Sequence, residues 1–204
     1  MVRQREQFGR RRNCSRQSGQ EGVKMEIGNA EKNQWIQIRE IYLEAFPKAE
    51  RKPFFTVKHG VARGKAQLLV AVERDVLAGF VMVIPYRDMV MVDYLAVSGQ
   101  IRSQGTGSKI LKEVCRRFPG KRLVLLIEKP DVAAPNREQR IARRNFYLKN
   151  GFTPASIAID GYSGEMEVLS YGGQVSPQEY LDLQRYALGG MMFRLSKIRL
   201  ATKK

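Results

Sequence analysis

The residues with the clearest chemical purpose lie between Val92 and Leu111, where the chain reads VDYLAVSGQIRSQGTGSKIL. Within it, Arg102-Ser103-Gln104-Gly105-Thr106-Gly107 suits the binding of an anion. Gly105 and Gly107 remove side chains where a backbone must approach a ligand, and a helix opening at this turn leaves its first N–H groups without intrahelical partners. Such groups can wrap a phosphate. Two commoner phosphate-binding patterns do not fit. No Lys directly follows the second Gly, as a P-loop requires, and no third Gly completes a dinucleotide fingerprint. The run is an R-x-x-G-x-G turn, with Ser108 and Lys109 continuing into the helix.

Few other side chains offer chemistry by type and position alone. Cys14 and Cys115 are the two cysteines, far apart and without a second pair of ligands nearby, which argues against both a zinc site and a disulfide framework. Cys115 falls on the apolar stripe of its helix and reads as a small core residue, since a reactive thiol needs exposure and an electropositive pocket. His59 is the single histidine, and its glycine-flanked position reads as surface.

The elements that must position these groups follow from periodicity. Residues 24–27 read as a short strand, and Asn29 as the N-cap of a helix with Trp35, Ile38, Ile41, Tyr42, Ala45 and Phe46 on one face, ended by Pro47. Pro53, Gly60 and Gly64 break the next segment, leaving one short helix or turn over 54–62, with Phe54 and Phe55 either in the core or covering a groove. Three strand-like runs, 67–74, 76–87 and 89–97, joined by tight polar turns at Arg74-Asp75 and Arg87-Asp88, make a meander. A helix from Gly105 to Arg117 then carries Ile110, Leu111, Val114, Cys115 and Phe118 on one stripe.

Residues 122–129 form a continuously apolar strand of the kind buried on both faces. REQRIARRNFYLKNG is a helix closed by Gly151, with Ile141, Ala142, Asn145 and Phe146 inward. A hairpin turning near Gly161 to Gly164 follows. Ser176-Pro177-Gln178-Glu179 is a capping box that opens a helix to about Leu188, and MMFRLSKIRL after Gly189-Gly190 reads as a last strand.

A chain of 204 residues matches one domain able to fold without disulfides or metal. Residues 1–24 hold seven basic side chains against two acidic ones and almost nothing apolar, which predicts a disordered arm, either a genuine basic tail or an upstream start ahead of Met25. Residues 25–204 are then the single domain, with 173–204 an appended helix and strand. No apolar run approaches the ~18 residues of a membrane span and no secretory signal is visible, so the expectation is a soluble, cytoplasmic protein. The net charge of +16 and pI near 10.1 attract polyanions at long range. A solvated cationic surface and a nucleic-acid face both agree with that, although no aromatic-basic module accompanies the charge.

Three separated pieces, in order, resemble the GNAT superfamily of acetyl-CoA-dependent N-acetyltransferases. They are Tyr94-Leu95-Ala96-Val97, the R-x-x-G-x-G turn, and Asn145-Phe146-Tyr147-Leu148-Lys149-Asn150-Gly151-Phe152, which is similar to the family's F-Y-x-K-x-G-F pattern. The resemblance covers residues 25 to about 172. It implies an α/β fold: a mixed, largely antiparallel sheet with helices on both faces and two central parallel strands, here 89–97 and 122–129, that splay apart after a bulge. It further implies that Leu95, Ala96 and Val97 pair with the pantetheine arm of acetyl-CoA. Arg102, Ser103, Gln104, Gly105, Thr106, Gly107 and Ser108 would cradle its pyrophosphate.

By the same resemblance Tyr147 is the general acid beside the departing sulfur. For a general base there are Glu128, at the end of the second splayed strand, and Asp93, just before the bulge. Glu128 is preferred, with water or a plain salt-bridge role as the alternatives. One position departs from the pattern: Arg140 stands where many family members carry an Asn that contacts pantetheine. It and Arg137, Arg143 and Arg144 are expected to meet solvent, with cofactor phosphates or an acidic acceptor as the other options.

The implied function is transfer of an acetyl group from the co-substrate acetyl-CoA to a primary amine of a small molecule or a protein, without a metal. The rival is a non-catalytic basic module of the same fold that contacts RNA or another polyanion. A second alternative is a protein acetyltransferase recruited to a nucleic-acid-associated chain. The loops 47–66 and 160–166, which would choose the acceptor, carry no recognisable pattern.

Overall fold

β-branched and other apolar residues gather in short runs bounded by Gly, Pro, Asp and Arg turns, and these runs become the strands of one sheet. The computed structural model describes residues 25–48, 51–101, 105–161, 164–196 and 198–200; the basic segment 1–24 lies outside the described residues. In chain order come β1 (Glu26–Asn29), α1 (Trp35–Ala45), α2 (Phe54–Ala62), β2 (Gln67–Glu73), β3 (Val76–Tyr86), β4 (Met89–Val97) and α3 (Thr106–Arg117). They are followed by β5 (Arg122–Glu128), α4 (Arg137–Lys149), β6 (Thr153–Gly161), β7 (Gly164–Tyr171), α5 (Pro177–Leu188), α6 (Gly190–Leu195) and β8 (Arg199–Leu200).

The strand order is β1-β2-β3-β4-β5-β7-β6-β8, and every described pairing is antiparallel except β4 with β5. The meander is closed at its first turn by Arg74 (φ 51) and Asp75 (φ 61), whose left-handed backbone matches the twist of the hairpin it joins. Alternation along the strands sends Val70, Phe80, Met82, Met91 and Val124 to one face, against Ile38 and Tyr42 of α1, Val57 of α2 and Tyr180 and Leu183 of α5. Leu69, Val81, Val83, Val90 and Leu125 go to the other face, against Ile110 and Val114 of α3 and Tyr147 of α4. Both faces of β5 are therefore covered, which is why its sequence is continuously apolar. No described helix is long and apolar enough to cross a membrane.

Four expectations are corrected. Asn29 does not cap α1: its pairing with Leu69 extends β1, its Oδ1 accepts from Arg117 Nη1 at 2.7 Å, and a 3-10 turn over Lys32–Gln34 leads into α1. Phe54 packs at 5.5 Å from the Tyr42 ring, but Phe55 is 71 % exposed, because consecutive helical positions diverge by about 100°. The inward residues of α4 are Arg140 and Tyr147, seven apart on one stripe, whereas Ala142 and Asn145 are exposed, Ala142 at the edge of a cleft. Met191–Leu195 lie in α6 rather than a strand, consistent with the good helix propensity of Met, Leu and Arg; of the described residues after α6, Arg199 and Leu200 join the sheet, on β6.

α5 opens as its sequence indicated. Ser176 Oγ accepts from Glu179 N at 3.3 Å, Glu179 Oε2 accepts from Ser176 N at 2.8 Å, and Pro177 occupies the first helical position. Arg122 at the start of β5 donates to Glu179 Oε1 and Asp88 Oδ2, each at 2.6 Å. That guanidinium, with the Ser176 bonds, holds the Glu179 carboxyl down at about 2. Ser176→Ala is expected to cost about 1 kcal/mol of stability, read as a lower urea midpoint at unchanged m-value.

Candidate active site

The parallel contact of β4 with β5 stops early. Met89 faces Arg122, Val90 faces Leu123, Met91 faces Val124, and no further pair forms. The cause is one surplus residue: on the β3 side Val92 opposes Val83 and Tyr94 opposes Met82, so Asp93 is bulged between them. Asp93 was expected just before a bulge and is itself the bulged residue. Past it β4 stays on β3, with Leu95 opposite Val81 and Val97 opposite Gly79, and Ser98 N donates to Ala78 O at 2.9 Å. Counting back by two from Ser98 turns the peptide groups of Leu95 and Val97 away from β3, into the gap that β5 leaves.

The glycine turn opens beside this gap. Gly105 caps α3 in the left-handed region at φ 77, and the first helical bond runs from Lys109 N to Gly105 O at 3.0 Å. The N–H groups of Thr106, Gly107 and Ser108 therefore have no intrahelical acceptor. A Cβ at Gly107 would stand 3.0 Å from Cζ of Phe146, so a side chain there would press on the ring that packs this helix start against α4. Thr106 is 2 % exposed, and its Oγ1 has no hydrogen-bond partner among the described residues. Arg102, Ser103 and Gln104, the other expected turn residues, lie outside the described residues.

The gap widens into a cleft of about 1020 Å³ lined by Leu95, Ala96 and Val97 of β4, Gly105 to Ser108 of the turn, Glu128 of β5 and Tyr147 of α4. Tyr147 is 8 % exposed, packed edge-on to Phe146 and Phe152 at 5.1 and 5.5 Å. Burial pushes its phenol up to about 12, opposed in part by the positive charge of Arg143. The structure thus gathers Tyr147, Glu128 and the described part of the turn around one space.

Arg137 is exposed, as expected, but the other three arginines of α4 do not simply meet solvent. Arg140 Nη2 donates to Glu128 Oε1 at 3.0 Å, Arg143 Nη1 to Glu128 Oε2 at 3.5 Å, and Asn136 Nδ2 to the same Oε2 at 3.3 Å. Arg144 Nε donates to Glu167 Oε1 at 2.6 Å. Glu128, 4 % exposed, is thereby a carboxylate with both oxygens occupied. Asp93 is paired by Lys52, whose Nζ donates to Oδ2 at 2.7 Å and Oδ1 at 2.9 Å. Lys52 is fixed at its backbone too: its N donates to Tyr94 Oη at 3.1 Å and its O accepts from Tyr42 Oη at 3.0 Å.

Sequence reasoning missed Lys52, whose partner lies 41 residues away and which belongs to no motif. It also missed Gln184 and Leu188 of α5 and Ile198, which line the cleft although 173–204 was read as an appendage. The Ser176 cap and the amphipathic run after it were the available signal. Cys115 is half-buried with its thiol pushed up by burial, in keeping with packing, and His59 is exposed. Among the described residues no group of three His, Cys, Asp or Glu is placed to hold a metal ion.

Residues 64–154 match a family model described as "Acetyltransferase (GNAT) domain". No curated protein matches the chain at a significant level. Among solved structures, the chain is similar to a GNAT-family protein from Bacteroides thetaiotaomicron at 19% identity and TM-score 0.65, over 85% of this chain and 99% of that one. It is also similar to the ribosomal-protein-S18-alanine N-acetyltransferase from Escherichia coli, at 15% identity and TM-score 0.58, over 76% and 97%. A third is a GNAT family acetyltransferase from Elizabethkingia anophelis with acetyl-CoA bound, at 17% identity and TM-score 0.56, over 72% and 97%. The meander, the glycine turn, the splayed strand and α4 all fall inside the segment that matches the GNAT acetyltransferase model, and the chain has the GNAT fold.

Proposed function

We propose that the chain transfers an acetyl group from acetyl-CoA to a primary amine, and that residues 25–204 form the one domain that does so. The observation that carries this reading is the gap beside β4, where unpaired peptide groups of Leu95 and Val97 run straight to the free N–H groups of Thr106, Gly107 and Ser108. The coenzyme's chemistry matches that path. A pantetheine amide can bond an open strand edge as another strand would, and a diphosphate suits a helix start. The Thr106 hydroxyl, without a partner among the described residues, agrees with a ligand lying there. In this reading Arg102, Ser103 and Gln104 complete the cradle, and Ala96 holds β4 on β3. The structure bound to acetyl-CoA among the similar proteins supports the same coenzyme.

Tyr147 then supplies the proton that the departing thiolate needs, since a phenol kept protonated by burial donates at neutral pH. An attacking amine must lose its proton first, a lysine-like amine having a pKa of ~10.4. Of the two carboxylates in the cleft, Asp93 is the better placed to receive it. It is held by one flexible ammonium, whereas Glu128 is held by two guanidiniums and an amide. Glu128 is accordingly assigned to fixing α4, and with it Tyr147, against the end of β5. The experiment is a thermal melt with acetyl-CoA at about a hundred times its Kd: a rise of about 5 to 10 °C is expected for a chain of this size. Release of CoA on adding a primary amine completes the test, and a flat melting curve defeats the reading.

A further inference from the structure

We infer that the acceptor is a primary amine on an uncharged, largely apolar body and not a polycation. This rests on the acetyl-transfer reading and names the substrate class of the same site. The sheet's two faces divide the cleft. The glycine turn, Phe146 and Tyr147 belong to the α3 and α4 face, where the coenzyme is assigned. The acceptor must reach the gap from the opposite face.

On that side the lining includes Met91, Leu126, Ile159, Met166 and Ile198, with Leu188 of α5, the rings of Phe46 and Tyr94 and the Ser196 hydroxyl beside them. Gln184 of α5 also reaches the wall, with its donors used inside the protein: Nε2 donates to Tyr180 Oη at 2.7 Å and to Met91 Sδ at 3.6 Å. A wall of Met, Leu and Ile recognises shape and apolar surface, not charge.

The charges on the cleft point the same way. Its two carboxylates, Asp93 and Glu128, both have cationic partners supplied by the chain itself. Arg51 and Lys149 add positive charge to the same lining. A polyamine or aminosugar carries several ammonium groups and needs a carboxylate for each. Here it would have to displace both Lys52 and the arginines, against the long-range repulsion of a chain with net charge +16. A monoamine needs a single exchange, its own nitrogen for the Lys52 ammonium at Asp93, while its apolar body is buried under α5. The pairing that occupies Asp93 therefore acts as a filter on the number of charges an acceptor brings.

The full chain, saturated with CoA, is titrated with 2-phenylethylamine, spermidine and kanamycin, and acetyl-CoA turnover is measured with the same amines. The expected result is a kcat/KM for 2-phenylethylamine at least ~10-fold above either polycation. Met166→Glu and Leu188→Glu, which place a carboxylate on the apolar wall at partly exposed positions, should each raise kcat/KM for spermidine and lower it for 2-phenylethylamine. Equal or better use of spermidine or kanamycin by the parent chain overturns the inference and leaves acetyl transfer standing. So does a lack of saturable 2-phenylethylamine binding at millimolar concentration. Absence of any melting shift with acetyl-CoA removes both.

Discussion

Tyr147→Phe is expected to lower kcat by about 100-fold or more while leaving the melting temperature and the KM for acetyl-CoA nearly unchanged. The asymmetry follows from what the hydroxyl does. Its ring is packed between Phe146 and Phe152, and those contacts survive in phenylalanine. Among the described residues nothing is hydrogen-bonded to the hydroxyl, so removing it leaves no buried partner among them unpaired. What disappears is only the proton aimed at the leaving sulfur. Burial sets the pH window: with the phenol raised to about 12, the acid form persists to higher pH than an ordinary tyrosine, for which loss begins near 10. Alkaline loss of activity below about pH 9 would therefore belong to another group. A kcat unchanged in the phenylalanine variant removes Tyr147 from the chemistry.

Gly107→Val is expected to abolish the melting shift produced by acetyl-CoA, with affinity reduced by a factor on the order of 100. The new Cβ alone would come within 3.0 Å of the Phe146 ring, and the branched methyls must then move α4 or fill the space beside the free N–H groups. Gly105 provides the contrast. A Cβ there meets nothing within 4 Å, but φ 77 strains an L-residue, so Gly105→Ala should cost about 1 kcal/mol of stability with much of the coenzyme shift retained. The comparison separates lost space from lost conformation, with each variant's own coenzyme-free melt as its baseline. An intact coenzyme shift in Gly107→Val would mean that the diphosphate lies elsewhere.

The features that read correctly from sequence are those encoded within a few residues. The meander follows from alternation and two-residue turns, the α5 start from Ser176, Pro177 and Glu179, and the α3 start from Gly105 and Gly107. Fold class became legible once three such local pieces stood in a fixed order. What failed was encoded across distance. Lys52 finds Asp93 through the packing of Tyr42 against Tyr94, ring centroids 5.0 Å apart, and no local pattern marks that lysine. α4 misled for a different reason: its inward stripe contains Arg140, whose burial depends on Glu128 from another element, so a search for apolar periodicity chose the wrong face. In the C-terminal segment α5 was recognised and α6 was read as a strand, and that α5 completes the cleft follows from its landing on the α1 and α2 face, a contact between distant parts of the chain.

The extra residue at Asp93 also bears on the energetics of the sheet. By steering β4 off β5 after three rungs, it leaves a seam unstitched at the centre, where a continuous sheet would be strongest. Each missing rung forgoes about 0.5 to 1.5 kcal/mol of net hydrogen-bond stabilisation. The molecule is thus less stable than its strand count would allow, and the shortfall is concentrated where a small molecule can make it good.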